Sequence, residues 1–296
     1  MNSMEDYLVR GTAAEGRIRA FAVRSTEMIR TMQEIHQTSP NVTAGLGRLM
    51  TGAAMMGAMM KDENARLTLS IRGGGPVQGM TVTADSHGFV KGFANVKRVP
   101  LTLLGPGKLD VGGPIGYGTL TVIREDGIGE PYSSQVNLLT GEIGDDLTYY
   151  FATSEQTPSA VGLGVLVDTD ETVKDAGGFI IQLMPDVLEE EITALEEALK
   201  NAAPISEMID QGMTPEDILT KIIGNMGFEL LEKQPIAWKC DCSEERVAHA
   251  IMSISKSDIQ EMIDDGKPAE VKCHFCEKNY VFTTEKLKEM LASSAK

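Results

Sequence analysis

RLTLSIRGGGPVQGMTVTAD, residues 66–85, is the stretch on which the fold class turns. Leu67, Leu69 and Ile71 alternate with Arg66, Thr68, Ser70 and Arg72, the period of two expected of a half-buried strand. Gly73-Gly74-Gly75-Pro76 reverses the chain, and Met80, Val82 and Ala84 then alternate with Thr81, Thr83 and Asp85 in a partner strand. Upstream the period is different. Ser39-Pro40 sets an N-cap before a proline at the first helical position and opens NVTAGLGRLMTGAAMMGAMMK, residues 41–61, which is apolar nearly all round. Its Gly45, Gly52, Ala53 and Gly57 let neighbouring backbones approach and its methionines fill irregular gaps, so it reads as a buried core helix and not as a Met-rich partner groove. Before it, Arg17–Val23 is expected as a strand, and Ser25 or Thr26 starts a helix towards His36. After it, strands are expected at Phe89–Ala94, Thr119–Arg124, Leu147–Ala152, Gly164–Asp168 and Phe179–Leu183. Together these make residues 1–185 an α+β core domain of sheet and helices.

Beyond Pro185 the composition shifts. Residues 186–231 hold 2 basic and 11 acidic side chains and one aromatic, Phe228, yet keep a helical pattern of Val187, Leu188, Ile192, Leu195 and Leu199. Asp186 can cap a helix start, and Thr214-Pro215-Glu216-Asp217 opens another helix with its acids on the positive end. Repulsion among Glu189, Glu190 and Glu191 weakens a helix with little apolar surface to bury, so the segment is expected as an acidic helical linker, ordered only while docked on a neighbour.

All four cysteines fall in the tail, as Cys240-Asp241-Cys242 and Cys273-His274-Phe275-Cys276, with 30 residues between the pairs. Two close pairs separated by a loop-sized insert allow four thiolates to converge tetrahedrally, which suits zinc; disulfides are the alternative. The C-x-x-C half, followed by Lys278 and Tyr280, resembles the knuckle turn of zinc ribbons. Between the pairs, Ser243-Glu244-Glu245 starts a helix through Met252, and Ser257 with Gln260 forms a capping box for a second helix ending near Gly266. Residues 232–296 are therefore expected as a small zinc-binding domain. At about 65 residues it is marginal alone, so metal binding supplies on the order of 10 kcal/mol of its folding energy. His249 and His274 are expected outside the ligand set, and Trp238 as a packing anchor for the small domain.

A closed four-thiolate site leaves no open position for substrate, which taken alone makes the zinc structural. The one-residue gap between Cys240 and Cys242 is unusual, because it brings two thiolates close enough to oxidise to one another. Such a site can act as a redox switch.

A formal net charge of −16 argues against nucleic acid as the main partner, since phosphate binding needs clustered Lys and Arg. The start of the chain has no basic region followed by an apolar run, and no long charge-free stretch follows, so neither export nor membrane insertion is expected. No G-x-S-x-G, H-E-x-x-H, G-x-x-x-x-G-K-[ST] or G-x-G-x-x-G occurs, and His36, His87 and Asp85 have no distinguishing spacing, so no enzyme is expected. The competing reading is a zinc-ribbon nucleic-acid adaptor, built on CHFCEKNYVF at 273–282. Against it, residues 232–296 carry 10 basic and 12 acidic side chains before any thiolate is counted.

The chain resembles the 33-kDa heat-shock chaperonins. The pattern C-x-C, about thirty residues, C-x-x-C is that family's signature, and Cys240, Cys242, Cys273 and Cys276 match it. The likeness extends through 41–61, RLTLSIRGGGPVQGMTVTADSHGFVKGF at 66–93, YYFATSEQTPSAVGLGV at 149–165, GGFIIQLMPD at 177–186, CDCSEERVAHAIMSISKSDIQEMI at 240–263 and AEVKCHFCEKNYVF at 269–282. It implies a cytoplasmic, redox-regulated holdase chaperone. The reduced form would be inactive and hold one zinc on the four cysteines. In the oxidised form Cys240–Cys242 and Cys273–Cys276 would be disulfide-bonded and the zinc released. Tail and linker would then lose structure, exposing apolar surface, promoting a homodimer and holding unfolded clients without ATP until ATP-dependent chaperones refold them.

Overall fold

The computed structural model describes residues 5–127 and 130–293. Met1–Met4, part of the start from which no export signal was expected, lie outside the described residues. By compactness the chain forms two units, Met1–Lys239 and Cys240–Lys296.

In the first unit the elements run β1 (Tyr7–Ala13), β2 (Ile18–Arg24), α1 (Thr26–His36), α2 (Pro40–Ala58), β3 (Arg66–Gly73), β4 (Gly79–Asp85) and β5 (Phe89–Ala94). A small hairpin of β6 (Leu103–Gly105) and β7 (Lys108–Leu109) precedes α3 (Gly112–Ile115), β8 (Gly118–Glu125), β9 (Tyr132–Asn137) and α4 (Gly144–Thr153). Then come β10 (Ser159–Val167), β11 (Val173–Leu183), α5 (Glu189–Asn201), α6 (Ile205–Asp210), α7 (Pro215–Ile223), β12 (Glu229–Pro235) and β13 (Ala237–Trp238). They build a five-stranded sheet, β10-β11-β2-β1-β12, and a six-stranded sheet, β13-β5-β4-β3-β8-β9. The fold is mixed α+β, as the alternation at 66–85 predicts.

That alternation is the inner face of the six-stranded sheet: Leu67, Leu69, Ile71, Met80, Val82 and Ala84 are all buried. β3 pairs antiparallel with β4, Leu69 opposite Val82, and with β8 on its other side. The triple glycine is needed for approach as well as for turning. A Cβ on Gly73 would stand 2.0 Å from the carbonyl oxygen of Ile115, and one on Gly75 2.4 Å from that of Pro114. Against the inner face lies α2, buried along its length except at Arg48 and its last residue, Ala58. Ser39 is its N-cap residue, but its hydroxyl accepts from the Val99 N–H at 3.0 Å and makes no capping bond of its own.

Two expectations need correction. Leu147–Ala152, expected as a strand, lies in α4. Buried Asp146 accepts from the N–H groups of Leu139, Thr140 and Ile143, anchoring the helix start, and Leu147, Tyr150 and Phe151 share its buried face at helical spacing. Residues 186–239 also belong to the first compact unit, whereas the sequence divides them between a linker and the tail domain. The five-stranded sheet buries Leu8, Phe21, Val23 and Ile180 on the face shared with α1, α2 and α4. Its other face, with Val9, Ile18, Ala20, Ala22, Phe179 and Ile181, is covered by Leu195, Met208, Ile209, Ile218, Leu219 and Ile222 of α5, α6 and α7. The acidic segment thus finds its apolar partner in a sheet face, and Arg17 clasps Glu191 through Nε and Nη2, at 3.0 and 2.6 Å, next to the start of α5. Thr214 caps α7 as expected, accepting from the Asp217 N–H at 3.2 Å.

Candidate metal centre

The second unit is small. Helices α8 (Glu244–Met252) and α9 (Lys256–Asp264) are followed by the hairpin of β14 (Ala269–Lys272) and β15 (Asn279–Phe282) and by α10 (Thr284–Ser293). Ser243 caps α8, accepting from the Arg246 N–H at 3.2 Å. The capping residue of α9 is Ser255, two positions before the expected Ser257, and its hydroxyl accepts from Asp258. Its buried apolar core consists of Ile251, Ile259, Ile263, Tyr280, Phe282 and Leu287. A core of six side chains is little to hold a unit of this size together.

The cysteines supply what the core lacks. Cys273 and Cys276 flank the tight turn between β14 and β15, where the Cys273 N–H donates to the Lys278 carbonyl at 2.9 Å and the Glu277 N–H donates to the Cys273 carbonyl at 2.9 Å. Cys240 and Cys242 lie on the loop before α8. The four sulfurs lie within 4.8 Å of one another, with Cys240 to Cys273 at 3.8 Å and Cys242 to Cys276 at 3.2 Å. Four thiolates each at a Zn–S bond length from one ion stand roughly 3.8 Å apart, so the set fits a tetrahedral ion of that size. Among the described residues the cluster consists of the four cysteines.

The surroundings favour a thiolate at Cys242. The backbone N–H of Cys242 points at the Cys240 sulfur and that of Lys278 at the Cys276 sulfur, the arrangement expected of a zinc knuckle. Tyr280 donates its hydroxyl to the Cys242 sulfur at 3.1 Å. Burial opposes ionisation of Cys242, but the Tyr280 hydroxyl and the thiols of Cys276, Cys240 and Cys273 outweigh it and bring the group down to about 7. Burial pushes the Cys240 and Cys276 thiols up. One thiolate among thiols is the state expected when four sulfurs share a site without a cation between them.

The paired cysteines that converge are visible in the sequence, but the Tyr280 hydroxyl bond to Cys242, which depends on β15 turning that side chain inward, is not, nor is the Arg246–Asp241 ion pair that pins the first motif to α8. Trp238 was expected to anchor this unit. It instead packs on the first unit's core as part of β13, which pairs in parallel with β5. Removing the Tyr280 hydroxyl leaves the ligands intact, so Tyr280→Phe is expected to lower metal affinity by about tenfold, read by competition with a chromophoric chelator.

A model of the Hsp33 protein family matches residues 6–283. The chain belongs to the Hsp33 family. It is 55% identical over 287 residues to the 33 kDa chaperonin of Agathobacter rectalis, covering 97% of this chain and all of that one. To the 33 kDa chaperonin of Lachnoclostridium phytofermentans it is 54% identical over 291 residues, covering 98% and 100%. The crystal structure of the 33 kDa chaperonin from Thermotoga maritima superposes with a TM-score of 0.89 at 36% identity, over 99% of each chain. This Hsp33-family chain is thus a molecular chaperone by descent, which is not an enzyme class, and chaperones bind client proteins. Among the described residues, no helix is long and apolar enough to cross a membrane.

Proposed function

We propose that the protein is a cytoplasmic, ATP-independent holdase switched by oxidation. In the reduced form Cys240, Cys242, Cys273 and Cys276 hold one zinc ion, and the chaperone is off. The observation that carries this reading is the convergence of four sulfurs in a unit whose buried apolar core, among the described residues, is six side chains. A metal bound there is the main source of that unit's stability. A bound zinc would supply the divalent charge that lets all four sulfurs ionise together; the chain supplies the ligands and the Tyr280 hydroxyl, which donates to the Cys242 sulfur.

Oxidation pairs Cys240 with Cys242 and Cys273 with Cys276. Each disulfide forms as two thiolates lose two electrons to one peroxide, whose O–O bond breaks to give two hydroxides that take protons from solvent and leave as water. The shortest sulfur separations run between motifs, but once the motifs part, chain connectivity keeps only the partners within a motif close. Sulfurs in a disulfide no longer serve as thiolate ligands, and residues 240–296 lose their fold. The loss spreads upstream because β13 is two residues long and β12 is an edge strand with exposed side chains, and both lead directly into Cys240. Release of α5–α7 then bares the sheet face of Ile18, Ala20, Ala22, Phe179 and Ile181 to clients, to a second copy of the chain in a homodimer, and finally to hand-over to ATP-dependent chaperones. An acidic tail and a net charge of −16 disfavour the nucleic-acid adaptor.

The test is a single peroxide time course at mild heat, with released zinc and aggregation of a thermally unfolding client followed together. Zinc release and aggregation suppression should rise in step. Equal suppression before and after oxidation, or an active form that keeps its zinc, defeats the reading.

A further inference from the structure

At one end of the first unit a cleft of about 560 Å³ opens between the two sheets, where α2 and α4 both end. It lies wholly within the first unit and is independent of the cysteines. Arg19 of β2 lines it, oriented by its strand neighbour Gln182, which is 1% exposed. Gln182 Oε1 accepts from Arg19 Nε at 3.2 Å and Nη2 at 2.6 Å, while its Nε2 donates to Ser159 Oγ at 3.1 Å. Two like charges, those of Arg10 and Arg124, bear on Arg19, and no carboxylate among the described residues forms an ion pair with it. Burial first, and then these two like charges, lower its pKa from the ordinary arginine value. A guanidinium stays protonated regardless, so the half-buried cation is held at a cost that an anion would relieve.

Arg124, on the opposite sheet, donates to Glu155 at 3.1 Å through Nη1, but its buried Nε–H has no acceptor. Glu155 is committed to that pair and to the Tyr150 hydroxyl, and Asp62 at the mouth accepts from the Asn64 N–H in its own turn. Lys61 and Asp126 complete the charged rim, and Met56, Met59 and Phe151 form an apolar wall. The volume suits a small organic molecule, and a half-buried cation without a carboxylate partner beside an apolar wall describes an amphiphilic anion.

We propose that this cleft binds a small organic anion, its phosphate or carboxylate head held by Arg19, Arg124 and Lys61 and its apolar body lying on Met56, Met59 and Phe151. Calorimetric titration of the full-length reduced protein tests it, with 1-naphthyl phosphate, 1-naphthoate, 1-naphthol and inorganic phosphate as probes. Saturable binding of one naphthyl phosphate or naphthoate per chain is expected, whichever head is preferred naming the source. Inorganic phosphate and naphthol should each bind about tenfold more weakly or worse. Arg19→Gln should weaken the naphthyl anion at least about tenfold, with its thermal unfolding curve checked alongside. Lys61→Gln, at the exposed rim, leaves the fold intact and should weaken binding about threefold and reduce its salt dependence. No saturable binding, naphthol binding as tightly as the anions, or affinity indifferent to Lys61→Gln and to salt overturns the proposal.

Discussion

Chelating the metal from the reduced protein is expected to unfold residues 240–296 while the central strands of the first unit stay folded. The expected loss is large because little else holds the tail together. Its core is Ile251, Ile259, Ile263, Tyr280, Phe282 and Leu287, while structural zinc in small domains contributes on the order of 10 kcal/mol. Without a cation the four sulfurs, all within 4.8 Å, can no longer ionise together, and thiols have weak mutual attraction. The first unit has no such dependence, since its larger core is made by α2 between two sheets. Hydrogen exchange read by mass spectrometry distinguishes the regions. Amides of α8, α9 and β14 should lose nearly all protection on chelation, those of β12 and β13 part of it, and those of β2, β3 and β11 none. Cys276→Ser should give the same pattern at ordinary zinc concentrations. A tail that keeps its protection after chelation would show that its apolar core suffices, and would remove the trigger from the proposed switch.

Much of this arrangement is legible before any coordinates, and the parts that are not share a physical cause. The helix over 40–58 and the hairpin at 66–85 announce themselves because each buries a regular set of side chains. The ligand set is legible because metal chemistry demands residue type and spacing together. α4 is misread because LTYYFA is short, aromatic and compatible with either period, and the deciding feature, Asp146 receiving three backbone N–H groups, is tertiary. β12 escapes because an edge strand of Glu, Leu, Leu, Glu, Lys and Gln is recognised by its backbone pairing with β1 and not by buried side chains. The acidic segment forms helices, as its apolar spacing predicts. Its neighbour is the far side of the first sheet, which no pattern within 186–231 reveals.

That docking leads to the second large effect, in which Leu219→Asp is expected to give a reduced, zinc-loaded protein that suppresses client aggregation without oxidant. Leu219 is fully buried in α7, among Ile218, Ile222 and the sheet residues beneath them. A carboxylate placed there has no basic partner in that cluster, and an unpaired buried charge costs upwards of about 4 kcal/mol. The helices it sits in are held by one apolar stripe and carry a strong acidic excess, so undocking them relieves the buried charge more cheaply than unfolding the sheet does. Leu188→Asp is the matched control, the same change in the same segment at a side chain already 47% exposed, and it should leave the reduced protein inactive. Limited proteolysis should cut Leu219→Asp within 186–226 and spare both Leu188→Asp and the parent, while each of the three retains one zinc per chain. Cleavage without client holding would mean that the bared sheet face is not the client surface. Client holding without cleavage would mean that the helices need not leave, and the route from the cysteines to the sheet would have to run elsewhere.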